Sequence, residues 1–157
     1  MPYTIDRYTS LDLEPLVDLF YETVHQVNAR DYSEKARRAW APYSRATRLQ
    51  RWKPHLDSNI TFVAKDNSKL IGFIDMTTKG HIHGLFVHKD YQGRGVASQL
   101  LKEVEYAAKK RNIAILTTDA SITAKKFFEG KGFIEIKKNS VELKGVFLTN
   151  FSMKKNL

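Results

Sequence analysis

The chain has 157 residues, of which 42% are hydrophobic, which is enough for one domain with a well-packed core and too little for two. It contains no cysteine, so disulfides, thiolate metal sites and cysteine nucleophiles are excluded. The formal net charge is +9. Residues 1–4 lack the features of a secretory signal, and no apolar run approaches the length of a membrane span. We therefore expect a cytoplasmic protein without a membrane partner.

The positive charge is concentrated in one stretch of the chain. Residues 1–29 hold one basic and five acidic side chains, whereas residues 30–53 hold eight basic and two acidic ones. Such a stretch can be a nucleic-acid footprint, the solvated face of a helix, or a field that attracts an anionic ligand. Nucleic acid is not expected as a partner, because no reading helix or stacking motif accompanies the charge.

The first thirty residues predict a strand and then a helix. Residues 3–8 alternate in the manner of a short strand, and Ser10 or Asp12 can cap the helix that follows. An apolar stripe at helical spacing is expected to face the core, with the acidic side chains in water. The stripe consists of Leu13, Leu16, Val17, Phe20, Val24 and Val27.

The next segment is the least regular part of the chain. Ser33 is predicted to cap a second helix over residues 34–39, which Pro42 brings to an end. Residues 44–56 predict a further helix or irregular turns, with few apolar side chains to anchor them.

From residue 60 the periodicity becomes that of strands. A three-stranded meander is predicted at residues 60–64, 70–77 and 82–87. A glycine-bearing turn then opens a long helix that ends near Arg111, and residues 114–118 predict a buried strand. Because a helix makes the crossover, this strand should be parallel to the one at residues 82–87.

The C-terminal segment predicts one helix and one hairpin. The helix is expected over residues 121–130. The hairpin joins residues 133–138 to residues 146–153 around a turn at Lys144 and Gly145.

The glycine-bearing turn Gln92-Gly93-Arg94-Gly95-Val96-Ala97-Ser98 is the strongest motif. A helix N-terminus presents free N–H groups and roughly half a positive charge, and glycines let a ligand approach the backbone. Arg94 adds a cation, so the turn predicts a pyrophosphate site. The Walker pattern is absent, and Ser98 stands where a Rossmann turn requires glycine or alanine.

The turn matches the pattern Gln/Arg-x-x-Gly-x-Gly/Ala, and here the chain resembles the GNAT superfamily of acetyl-CoA-dependent N-acetyltransferases. The resemblance extends from about Ile71 to the C-terminus through residues 72–74, 88–92, 124–133 and 148–153.

That resemblance implies a mixed α/β fold in three layers, formed as a single domain over residues 1–157. A mostly antiparallel central sheet, flanked by helices, would contain two parallel strands that splay apart. The coenzyme would enter the V between residues 82–87 and 114–118.

The resemblance also implies which residues contact the coenzyme. Strand backbone would pair with the pantetheine arm, and N–H groups of the turn would hold the pyrophosphate. Ser121 stands where many members have asparagine, but it can also be a helix N-cap. Phe128 stands where many members have a tyrosine near the sulfur, so the usual general acid is missing. The implied contacts are Leu85, Phe86, Val87, Gln92, Gly93, Arg94, Gly95, Val96, Ala97, Ser98, Ser121, Phe127 and Phe128.

Two histidines, His81 and His83, share one face of a predicted strand. No metal is expected, because the chain has no cysteine and this strand has no acid at ligand spacing. His83 stands where the family often has an acid, so it is a candidate general base; the alternative is a polar histidine that lines the cleft or the surface. Candidates for the acceptor wall are Tyr21, His25, Tyr32 and Trp40, of which Tyr21 and Trp40 can equally be core residues.

Together these features predict an N-acetyltransferase that moves the acetyl group of acetyl-CoA, its co-substrate, to a primary amine by direct attack in a ternary complex. The alternatives are a non-catalytic acyl-CoA-binding module, suggested by Phe128, and a basic nucleic-acid-associated protein. The sequence leaves open whether the acceptor is a small molecule or a peptide, and whether the protein is a monomer or a homodimer.

Overall fold

A seven-stranded mixed sheet organises the fold. The computed structural model describes residues 2–157. The sheet order is β1-β2-β3-β4-β5-β7-β6, and every neighbouring pair is antiparallel except β4 and β5. The strands are β1 (Thr4–Arg7), β2 (Ile60–Asp66), β3 (Lys69–Met76), β4 (His81–Val87), β5 (Ile115–Ser121), β6 (Ile134–Leu143) and β7 (Val146–Asn156).

Helices cover both faces of the sheet. Among residues 2–157 they are α1 (Leu13–Gln26), α2 (Glu34–Trp40), α3 (Arg45–Ser58), α4 (Val96–Lys110) and α5 (Lys125–Gly130). None of these helices combines the length and the apolarity needed to cross a lipid bilayer. The layered α/β fold implied by the family resemblance is confirmed.

Strands β2 and β3 are buried on both faces, and this separates the core into two clusters. On one face, Phe73 packs with Phe20 of α1 and Trp52 of α3. On the other face, Ile74 packs with Leu100 of α4. Helices α3 and α4 therefore lie on opposite sides of the sheet, a placement that decides where the two ends of the site lie.

Local capping explains where the two middle helices begin. The hydroxyl of Ser33 accepts the N–H of Ala36 at 3.1 Å, and α2 starts at the next residue. Ser44 does the same for Thr47 at 3.2 Å at the start of α3. The predicted second helix is confirmed, and the segment that was ambiguous from sequence is helical throughout α3.

The parallel strands β4 and β5 separate soon after they meet. They pair only through His81 with Thr117 and Ile82 with Thr118. On its other edge β4 contains a bulge, because Gly84 pairs with Asp75 while Ile82 pairs with the next residue of β3, leaving His83 as the extra residue. A bulge bends its strand and redirects a side chain. The V thus opens between the segments that the sequence indicated.

Two sequence predictions about burial are wrong. Asp12 does not face water: it is buried, its carboxylate lies 2.7 Å from Lys65 Nζ, and it accepts the N–H of Thr9. The ion pair with Lys65 compensates for burying the Asp12 charge. Helical periodicity alone could not show this partner and therefore predicted that Asp12 faces water. The strand at residues 114–118 is not buried throughout either, since Ile115 is 46% exposed on an alternating strand.

The predicted helix over residues 121–130 starts later than expected. Ser121 is the last residue of β5, and α5 begins at Lys125. Ser121 is therefore not the N-cap of α5, although its hydroxyl accepts the N–H of Ala124 at 3.1 Å and closes the turn that leads into the helix. The closing hairpin is confirmed, with strands longer than predicted.

Candidate active site

A cleft of about 810 Å³ occupies the V between β4 and β5. Its lining includes Gly93 and Ser98 at the α4 end and Trp40, Trp52 and His55 at the α3 end. Because α3 and α4 lie on opposite faces of the sheet, the cleft connects one face to the other. Two ligands can therefore enter from opposite sides and meet between the strands.

The glycine turn forms one end of this cleft. Gly93 and Gly95 have φ angles of 73° and 80°, a region that side chains other than glycine rarely adopt. A Cβ atom at either position would meet nothing within 4 Å, so the turn borders open space. No side chain caps α4, which leaves the first N–H groups of the helix available. The arrangement suits a bound phosphate.

Neighbouring contacts fix the shape of the turn. The Nε2 of Gln92 donates to the Val87 carbonyl oxygen at 2.6 Å, which ties the turn to the end of β4. The Tyr91 hydroxyl donates to Asp66, and this hydrogen bond is the main cause that raises the pKa of Tyr91. Arg94 lies over the Tyr91 ring at 5.2 Å and is not among the residues that line the cleft.

The β4 edge and the α5 side form the middle of the cleft. Leu85, Phe86 and Val87 line it and also pack against the two core clusters. Each of the three therefore belongs to both the core and the cleft wall. Beyond Ile82 this edge of β4 has no strand partner on the β5 side. Its backbone groups are therefore available to an extended ligand.

The opposite wall of the cleft combines a serine with two aromatic rings. Ser121, Phe127 and Phe128 line it. Phe128 is 2% exposed, and its ring lies 5.0 Å from the ring of Phe133. This wall offers no hydroxyl at position 128.

A histidine and a buried carboxylate meet at the α3 end. His83 lines the cleft, and its Nδ1 lies 3.0 Å from Oδ2 of Asp75, which is fully buried. The same oxygen accepts a hydrogen bond from Asn59 at 2.9 Å, while Asp75 Oδ1 has no partner. When Asp75 is paired in its ionised form, which only accepts hydrogen bonds, Nδ1 is the nitrogen that carries the proton. The Nε2 of His83 is left as the acceptor.

Aromatic rings hold the His83 side chain in place. The ring of His55 stacks on it at 4.1 Å and 15°, and Trp52 meets it edge-on at 5.0 Å. Burial first, and then repulsion from His83 when that ring is protonated, lowers the pKa of His55. A Cβ at Gly84 would lie 2.8 Å from Asp75 and 2.9 Å from Trp52, so this close packing requires glycine.

The neighbouring histidine, His81, also lines the cleft, but its contacts are with β5. Its Nδ1 lies 2.7 Å from the Thr117 hydroxyl and its Nε2 lies 3.6 Å from Asp119. Within residues 2–157, no group of three or more His, Cys, Asp or Glu side chains is placed to hold a metal ion. The two histidines thus differ in surroundings although they lie on one strand.

The four candidates for the acceptor wall divide into two pairs. Tyr32 and Trp40 line the cleft. Tyr21 and His25 lie outside its lining: the Arg48 guanidinium covers the Tyr21 ring at 4.3 Å, and His25 Nε2 lies 2.8 Å from a backbone carbonyl of the α2–α3 connection. These last two side chains hold the N-terminal helices together.

Three residues of this region were missed by sequence reasoning, namely Asp75, Trp52 and His55. One signal was available for Asp75, because it is a lone acid in the otherwise apolar strand of residues 70–76. No comparable signal marks Trp52 and His55, since they enter the site only because α3 packs across β4.

Comparisons with known proteins agree with this fold. The family model for the acetyltransferase (GNAT) domain matches residues 28–156. The uncharacterized N-acetyltransferase YafP of Escherichia coli is 37% identical over 150 residues, covering 96% of this chain and 93% of that protein. The crystal structure of a GCN5-related N-acetyltransferase from Rhodopseudomonas palustris is 33% identical with a TM-score of 0.92, covering 98% of this chain and 95% of that one.

A more distant likeness extends to a coenzyme complex. The PaiA N-acetyltransferase of Thermoplasma acidophilum, solved with coenzyme A, is 24% identical with a TM-score of 0.75 over 100% of both chains, which shows the shared fold. With the family model and the nearer relatives, the family is established. The chain belongs to the GNAT acetyltransferases and is an acyltransferase.

Proposed function

We propose that this protein transfers the acetyl group of acetyl-CoA to a primary amine by direct attack in a ternary complex, with residues 1–157 acting as one domain. The observation that carries the proposal is the pairing of His83 with buried Asp75 at one end of the cleft. An attacking amine must first lose a proton, and a base positioned at the reacting nitrogen accelerates that step.

The other end of the cleft fits the coenzyme. The uncapped N-terminus of α4 and the glycine turn at residues 92–98 would hold the pyrophosphate, and the unpaired edge of β4 at residues 85–87 would bind the pantetheine arm. The T. acidophilum protein of the same fold was solved with coenzyme A, which supports coenzyme binding by this chain. When bound, acetyl-CoA supplies the activated thioester.

His83 performs the proton transfer. Its Nε2 accepts a proton from the substrate ammonium, while Asp75 holds the ring in the required tautomer and balances the charge that the ring gains. The neutral amine then attacks the thioester carbon, so that a C–N bond forms and the C–S bond breaks, and the nitrogen releases its surplus proton to water. Stacking on His55 keeps the ring oriented through these steps.

The departing thiolate does not need an acid from this chain. A free thiol titrates near about 8.5 and an alkylammonium near about 10.4. Expelling the thiolate is therefore easier than deprotonating the amine, and phenylalanine at position 128 is compatible with turnover. The thiolate leaves as the anion or takes a proton from water. The reaction therefore depends more on a base such as His83 than on an acid at position 128.

The test is steady-state kinetics of His83→Ala with acetyl-CoA and a panel of primary amines. We expect kcat to fall by about ten- to a thousandfold, the acidic limb of the pH–rate profile to disappear, and coenzyme affinity to remain. Asp75→Asn should show a smaller loss in the same direction. His88→Ala is the matched histidine control, because His88 follows β4 directly and lies outside the cleft lining, and it should keep a kcat near that of the wild type. A His83→Ala enzyme with unaltered kcat and pH profile would exclude this base.

A further inference from the structure

The basic stretch at residues 30–53 is largely engaged within the protein. Arg37 and Arg48 donate to backbone carbonyl oxygens. Ion pairs join Arg38 to Glu34, Arg45 to Glu14 and Asp18, and Lys53 to Asp57. These contacts lie within or between α1, α2 and α3, so much of this charge has partners inside the N-terminal helices.

Arg51 is different from its neighbours in this stretch. It is exposed and lines the cleft. In the part of the chain that the structure describes it forms no ion pair with a carboxylate. Its one hydrogen bond runs from Nη1 to the Ala39 carbonyl oxygen at 3.5 Å, at the long limit for such a bond. The guanidinium therefore keeps most of its donors for a ligand.

The position of Arg51 places it at the acceptor end. Arg51 and His55 are four residues apart on α3, so their Cβ atoms are about 5–6 Å apart on one face of the helix. His55 stacks on His83 at 4.1 Å. Arg51 thus stands one helical turn from the histidine that stacks on the proposed base, on the face of the sheet opposite to α4 and the phosphate-binding turn.

Cations outnumber acids among the charged side chains that line the cleft. Arg30, which also lines it, is 67% exposed and only loosely paired with Asp31 at 3.5 Å. The acid in the lining is Asp119, which accepts a hydrogen bond from Ser152 and lies beside His81. Such a field disfavours polycationic acceptors and favours a substrate with negative charge.

We propose that the acceptor is a small amine that carries an anionic group, a carboxylate or a phosphonate, within a few bonds of its nitrogen, and that Arg51 binds this group. The inference rests on the proposed acetyl transfer and adds the substrate class. Arginine binds such planar or tetrahedral anions through two parallel hydrogen bonds. Trp40, Phe20 and Phe86 line the same end and supply an apolar surface for the rest of the molecule. Apolar α-amino acids are the simplest members of this class.

Matched acceptors test the proposal. For leucine and phenylalanine, we would compare acetyl transfer to the amino acid, its carboxamide, the amine without the carboxylate, and the corresponding 1-aminophosphonate, which separates carboxylate from phosphonate recognition. The wild type should have a lower KM for the anionic members. Arg51→Ala should raise that KM about ten- to a hundredfold and leave the KM for the carboxamides unchanged. Arg51→Lys should retain part of the preference, and Lys53→Ala, outside the cleft on the same helix, should retain all of it.

A binding measurement makes the result independent of turnover. Calorimetry would compare N-acetylleucine and N-acetylphenylalanine with their carboxamides on enzyme saturated with coenzyme A. Equal affinity for acid and carboxamide, or a preference that survives in Arg51→Ala, overturns the proposal and leaves acetyl transfer intact. Binding of the acids only in the absence of coenzyme also overturns it, because Arg51 would then serve the coenzyme phosphates. Arg51-dependent binding without any turnover supports the anion site and counts against the proposed transfer.

Discussion

At the scale of single residues, the site depends on one fully buried carboxylate. Desolvating Asp75 costs free energy, and hydrogen bonds from Asn59 and His83 offset only part of this, since its Oδ1 has no partner. A buried polar group that is incompletely satisfied costs about 1–3 kcal/mol. Proteins keep such an unfavourable residue mainly at functional sites. Orienting the imidazole of the proposed base, His83, is a role that an apolar side chain cannot fill.

The stack of His55 on His83 predicts a pH-dependent loss of stability. The pKa of His55 is lowered by burial first and by the charge on His83 second, with Asp75 acting in the opposite direction. As the pH falls below about 6.5, the unfolded chain takes up this proton more readily than the folded one, so the folded state loses stability.

His55→Gln should remove this part of the acid sensitivity. Its free energy of unfolding, measured by denaturant titration, should fall less than that of the wild type between about pH 7 and pH 5. The same fall in both proteins would show that His55 is equally protonated in the folded and unfolded states.

At the scale of elements, β4 combines two tasks along one strand. One edge pairs with β3, and the other is left open to the cleft beyond its short pairing with β5. The bulge at His83 allows the strand to do both, because the His83 side chain lies against Asp75 while Ile82 and Gly84 remain paired with β3. Gly84 allows Trp52 and Asp75 to close over the strand.

Gly84→Ala should therefore damage both stability and catalysis. The added methyl group would lie 2.8 Å from Asp75 and 2.9 Å from the Trp52 ring, and one of them must move. We expect a loss of about 1–3 kcal/mol in the free energy of unfolding, as in other overpacked cores, together with a lower kcat. Gly130→Ala is the control, because a Cβ there meets nothing within 4 Å. Equal stability and kcat for the two variants would contradict the packing argument.

The N-terminus of α4 allows a second test at this scale. Gly95→Asp adds bulk and negative charge where the N–H groups and the helix dipole would otherwise meet a phosphate. Acetyl-CoA affinity, measured by calorimetry, should be lost while a cooperative melting transition remains. Gly145→Asp controls for backbone strain, since Gly145 has a φ of 79° against 80° for Gly95 and also borders open space. Retained affinity in a folded Gly95→Asp protein would refute the phosphate site.

Local patterns were sufficient for some elements and insufficient for the site. The α4 turn, the helix cap at Ser33 and the closing hairpin were predictable because their signals lie within a few residues of each other. The pairing of Asp75 with His83 was not, since it depends on a bulge between two strands. An amphipathic stripe shows which face of α1 is buried but not which elements pack beside it. The sequence therefore left Tyr21 as either a wall or a core residue, and its side chain lies outside the cleft lining.

At the scale of the whole molecule, residues 28–32 join the two sides of the cleft. The Asn28 amide donates to the Thr123 hydroxyl at 3.1 Å, and that hydroxyl donates to Asp31 at 2.7 Å. The Tyr32 hydroxyl donates to the carbonyl oxygen of Thr149 at 2.6 Å. These contacts connect the N-terminal helices to β7 and to the turn before α5. The width of the acceptor end therefore depends on this segment.

Removing the Tyr32 hydroxyl should loosen that connection. It accepts the N–H of Ile122 at 2.8 Å as well as donating to Thr149, and burial raises its pKa, so it stays protonated and able to donate at neutral pH. Tyr32→Phe leaves both backbone groups without this partner, and we expect a loss of about 1–3 kcal/mol in the free energy of unfolding. The acceptor KM should rise while coenzyme affinity, which depends on the α4 end, changes little. Tyr43→Phe, at an 86% exposed position, is the control. If both variants match the wild type in stability and KM, the contacts of residues 28–32 do not set the width of the cleft.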